Sequence, residues 1–147
     1  MRWGALLAVP VAAVLLLTAC SIPEGDPAAY REEAVSTLQA AHSEVESARI
    51  TVWLRLDDRT FSRAADTSVT GSETALTSIA GTFSGLQPPP GADAVRDRAT
   101  QLLSDAQDAV EAARIAVRRD DRQGLRQALS DLAKSSTALH AAAGALS

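Results

Sequence analysis

Small apolar residues recur at steps of three and four through four consecutive stretches of this chain. No stretch sustains the two-residue alternation of a strand, so the pattern restricts the fold to packed amphipathic helices. In the first stretch Ala34, Leu38, Ala41, Val45, Ala48 and Val52 form the stripe, which predicts a helix over roughly residues 27–57. Asp26 is placed to cap it, and Pro27 suits the first helical position, where a missing N–H costs nothing. Ile50, Trp53 and Leu54 are expected to widen its apolar face near the far end.

Asp57-Asp58-Arg59-Thr60 breaks the period and predicts a turn. The second stretch, 61–86, carries Phe61, Ala65, Val69, Ser72, Leu76, Ile79, Phe83 and Leu86 in heptad-like spacing. Its Ser, Thr and Gly content lowers its intrinsic propensity, most of all in the first turns. Pro88-Pro89-Pro90 must end it. Asp93 is a candidate cap for a third helix with Val95, Ala99, Leu102, Ala106, Ala109, Ala113 and Ala116 on its stripe. Asp120-Asp121 marks a tight link into a fourth, striped by Leu125, Leu129, Leu132, Ser136, Leu139, Ala143 and Leu146. Four such helices with short links predict an all-α, four-helix up-down-up-down antiparallel bundle, with helices drawn close by alanine. The alternative is a three-helix bundle with the 61–86 stretch partly loose.

Ahead of the first helix the sequence changes character. Arg2 provides a short positive region, Leu6 to Leu17 is uncharged and rich in Leu, Ala and Val, and small residues follow at Thr18 and Ala19. That is the pattern of a secretory signal. The run is shorter than the roughly 20 residues needed to span hydrocarbon, and Pro10 interrupts it. Leu17-Thr18-Ala19-Cys20 ends the run with the chain's only cysteine.

These four residues resemble the lipobox of a bacterial lipoprotein. The resemblance implies cleavage between Ala19 and Cys20 and diacylglycerol on the Cys20 thiol. It also implies palmitate-type acyl chains and a cell-membrane anchor on the extracytoplasmic face. The expected organisation is a signal peptide over 1–19, a lipidated tether over 20–26 and a helical domain over 27–147. Abundant alanine, many arginines and the single lysine, Lys134, further resemble small helical lipoproteins of the actinobacterial type, whose activity is not established.

Charge narrows the partners. The formal net charge is −4, and losing residues 1–19 removes Arg2 and no acid, which argues against nucleic acid. Arg114, Arg118 and Arg119 close the third helix, and Arg122 and Arg126 open the fourth. In the expected bundle they join Arg55, Arg59 and Arg63 at the tip farthest from the lipid. That tip is a candidate docking surface for an anionic envelope partner, in competition with internal pairing to Asp57, Asp58, Asp66, Asp120 and Asp121.

Chemistry is harder to find. The two histidines are His42 and His140. With residues 27 and 146 level at one end, His42 stands about 22 Å along the bundle and His140 about 9 Å, too far apart to share a metal. Neither belongs to a Glu-x-x-His pair, so no metal site and no cofactor are expected. Asp105, Asp108 and Glu111 read as a solvated face near Arg114. Gly81 and Gly85 make a GxxxG expected to pack closely against another helix of the bundle. No nucleophile elbow, phosphate loop or paired-cysteine site is present. The sequence therefore points to a non-enzymatic, membrane-anchored interaction module. The alternative is a small-ligand binder with a pocket between helices near Trp53 or Phe83.

Overall fold

The computed structural model describes residues 25–147, so the lipobox and the cleavage site at Ala19 and Cys20 lie outside the described residues. Four helices account for nearly all of what is described: α1 (Pro27–Leu56), α2 (Ser62–Ser84), α3 (Asp93–Arg119) and α4 (Arg122–Leu146). Each packs on its neighbour in sequence, α4 closes back onto α1, and α1 also meets α3 across the centre. Short links between successive helices make the bundle antiparallel, up-down-up-down. The 61–86 stretch is a full member of it, which removes the three-helix alternative.

The helix ends follow local chemistry. The Asp26 carboxylate accepts a hydrogen bond from the Ala28 amide at 2.9 Å, with Pro27 at the first position. Asp121 does the same for the Gln123 amide at 3.0 Å. Asp93, expected as a cap, instead lies inside the first turn of α3, and Ala92 occupies the cap position without a side-chain bond. An acid one residue further in still favours the positive helix start. α2 likewise starts behind Phe61, which cannot cap.

The core is thin and alanine-rich. Ala34, Leu38, Ala41, Val45, Ala48 and Val52 of α1 are fully shielded, as are Ala99, Ala106, Val110 and Ala113 of α3. Leu76 of α2 and Leu132 and Leu139 of α4 supply the larger side chains. At the end where the chain enters, Tyr30 stacks on Phe83 with ring centres 5.8 Å apart.

Three apolar expectations are corrected. Ile50 and Trp53 are 53% and 46% exposed, and Phe61 is 87% exposed. The stripe of α1 already fills the seam facing its three partners, so Ile50 and Trp53 fall outside it. Trp53 is covered instead by the Arg59 guanidinium, 5.4 Å from the ring centre. The GxxxG is also corrected. A Cβ on Gly81 would meet nothing within 4 Å, and one on Gly85 would meet only backbone of its own helix end. Both glycines face outward rather than packing against another helix.

The opposite end is tied by charge. Asp58 and Asp120 each sit in the left-handed region with φ of 53°, ending α1 and α3. Arg55, only 13% exposed at its side chain, bonds Asp58 Oδ1 at 3.0 Å and also pairs with Asp120. Arg122 donates to the free carbonyl of Leu56 at 2.7 Å and pairs with Asp58 at 3.2 Å, joining the start of α4 to the end of α1. We expect Arg55→Ala to cost about 1–2 kcal/mol, after allowance for solvent screening of its exposed partners. Ala106→Leu should cost about 1–3 kcal/mol by overfilling the core, and Arg126→Ala should stay within about 0.5 kcal/mol. Urea denaturation of the three variants checks the order.

Candidate functional site

Two regions gather polar side chains: the arginine-bearing tip and the middle of the α1–α4 seam. At the tip, internal pairing absorbs four of the arginines that the sequence offered for docking, Arg55, Arg114, Arg118 and Arg122. Arg118 bonds Asp66 of α2 at 2.8 Å. Arg114 lies further down α3, where its Nε meets Glu73 of α2 at 2.7 Å, with Glu111 at 4.0 Å. Arg122 is committed to Asp58 and Leu56. Arg122, and then Arg55, hold the Asp58 carboxyl below the usual carboxylate range. Among the described residues Arg119 and Arg126 form no ion pair, and both are exposed. Of the five arginines singled out in the sequence, these two keep their charge available.

The α1–α4 seam holds an arrangement that the sequence reading missed. Glu46 reaches across from α1 and accepts a hydrogen bond from the Ser136 hydroxyl at 2.6 Å. Arg49, one turn along α1, grips the same carboxylate through contacts of 2.7, 3.0 and 3.1 Å. The Arg49 hydrogen bonds first, and the Ser136 hydroxyl second, lower the Glu46 pKa; partial burial opposes them. One turn back on α1 and one turn on along α4, His42 and His140 face each other with ring centres 5.5 Å apart. The expected separation of the two histidines is therefore wrong.

The error has a physical source. It assumed that α1 and α4 are level at the end where the chain enters. They are level at the tip instead, where Arg122 meets Leu56 and Asp58. Val35 and Leu146 border one groove at the other end, so α1 runs roughly two turns past the end of α4. A bond between Glu46 and Ser136 then brings His140 opposite His42 by simple counting. His42 is half-buried and His140 exposed. Among the described residues no group of three or more His, Cys, Asp or Glu side chains is placed to hold a metal ion.

The remaining candidates are quieter. Asp105, Asp108 and Glu111 are exposed, and Asp105 takes a hydrogen bond from Gln101 at 2.8 Å, as a solvated face should. Trp53 and its Arg59 neighbour lie on the surface. Phe83 borders shallow grooves of about 450 and 320 Å³ between α2 and α3. A groove of about 490 Å³ lined mostly by apolar side chains lies elsewhere, between the start of α3 and the end of α4, with Leu38 and Arg98 among its lining. No protein-family model matches the chain, and no curated protein or solved structure shows significant similarity to it.

Glu46 yields a pH prediction. Its folded-state pKa lies below the unfolded value of about 4.3, so its contribution is complete above that value and fades as pH falls through the lowered folded pKa. Glu46→Gln should therefore destabilise the protein at neutral pH, and the difference from the wild type should shrink as pH falls below the unfolded pKa and through the lowered folded one. Urea titrations of both proteins across a series of acidic pH values read the difference.

Proposed function

We propose that this protein is a lipid-anchored envelope lipoprotein acting as a non-enzymatic interaction or accessory module. The observation that carries the reading is Leu17-Thr18-Ala19-Cys20 closing a short apolar run. Two acyl chains or more hold a protein stably at a membrane, whereas one holds it marginally. The way the chain enters the bundle supports the same reading. Gly25 lies against Pro89 and Asp26 caps α1, so only a few residues separate Cys20 from the folded domain. The lipid is then held close to the end that carries the 87–92 loop, and the arginine tip points away from the membrane. No helix among the described residues is long and apolar enough to cross a membrane.

At that tip the docking surface for an anionic partner draws on Arg119 and Arg126, and on Arg63 at the start of α2, all exposed and outside the ion pairs of the described residues, while Arg59 lies over Trp53. Arg55, Arg118 and Arg122 serve the bundle itself, and Arg114 ties α3 to α2. The exposed faces of Trp53 and Phe61 supply apolar area near the same end. Aromatic and arginine side chains together are the residues from which interfaces draw most of their energy.

Cys20→Ser tests the anchor. It should abolish incorporation of labelled palmitate and move the protein from the membrane fraction to the soluble one; unchanged labelling refutes the anchor. The tip is tested by in-cell crosslinking of the anchored protein. Arg119→Glu with Arg126→Glu should lower recovery of the crosslinked partner without altering membrane attachment, and undiminished recovery refutes docking there.

A further inference from the structure

We propose that His42 and His140 form a binding site for a divalent transition-metal ion of the zinc and copper class, bridging α1 and α4. Two imidazoles on one tetrahedral ion, at metal–nitrogen distances of about 2.0–2.1 Å, have ring centres about 5 Å apart. The ring centres of His42 and His140 are 5.5 Å apart with the rings inclined at 42°, a separation close to that one. The pair is also held from outside itself. The Ser136–Glu46 hydrogen bond, one turn away on both helices, fixes the register that places the rings opposite each other. A site built on two rigid helices loses little freedom on binding.

The surroundings suit a cation that keeps solvent ligands. His140 is exposed and His42 half-buried, so an ion can enter from the surface and retain water at its other positions. His42 and Glu46 lie four residues apart on the same face of α1. Glu46 is itself engaged by Arg49 and Ser136, so it orients the site and moderates its charge while the two imidazoles bind the ion. Imidazole donors favour zinc, copper and nickel over magnesium or calcium, and copper binds the more tightly of the ions tested below.

The test uses full-length protein in detergent, carrying Cys20→Ser so that no thiol competes for metal. Equilibrium dialysis with Zn²⁺ and, separately, Cu²⁺ should show one saturable equivalent, and each ion should raise the melting temperature. His42→Ala and His140→Ala should each weaken binding by about tenfold or more while leaving helical circular dichroism unchanged. The electron paramagnetic resonance spectrum of bound Cu²⁺ should show coupling to two imidazole nitrogens, a result that does not depend on how the variants fold. Failure of both ions to saturate, binding that survives both substitutions, or coupling to fewer than two nitrogens overturns the site.

Discussion

Arg55 ties the ends of α1 and α3 together at the tip where the chain turns into α2 and α4. Its guanidinium reaches Asp58 and Asp120, the two aspartates whose left-handed backbones end α1 and α3. Arg122 completes the join by taking the last free carbonyl of α1, where the negative end of a helix dipole favours a cation. Individually such exposed ion pairs contribute little. Together they join the helix ends at the tip, where α1 and α4 are level, and the rigid rise of each helix carries that alignment down the molecule. The Glu46–Ser136 bond holds the same register further along the α1–α4 seam, and with it the histidine pair.

Alanine sets the second constraint. Ala34, Ala41 and Ala48 on α1 face a bundle interior that also includes Ala99, Ala106 and Ala113 on α3. Small side chains let these helices approach closely, and α1 meets α3 across the centre while packing on both neighbours. Interiors packed in this way hold few voids larger than a water molecule. Polar chemistry is thereby confined to helix seams and the tip, and grooves such as that beside Leu38 and Arg98 stay open to the surface.

Much of this architecture was legible residue by residue. The stripes of α1 and α3, the Asp26 cap with Pro27 behind it, the turn at Asp57–Asp58 and the proline stop all act within one or two turns of backbone. Asp93 was misread because a cap differs from a first-turn acid by a single residue, and Ala92 offers no side chain to mark the boundary. Ile50, Trp53 and Phe61 were misplaced because hydrophobicity alone does not say which side of a helix its partners cover. Gly81 and Gly85 have the spacing of a contact motif, yet the face they occupy has no partner.

The sequence by itself determined four helical stretches, their approximate limits and the presence of a lipobox-like segment ahead of them. These follow from periodicity, caps and breakers, all of which are local. Only the tertiary structure decided which arginines are spent on the bundle, leaving Arg119 and Arg126 free of ion pairs among the described residues. It alone placed His42 against His140. The reason is axial register: a helix repeats every few residues, so its stripe packs acceptably at several offsets. Contacts between residues far apart in the chain select one of them.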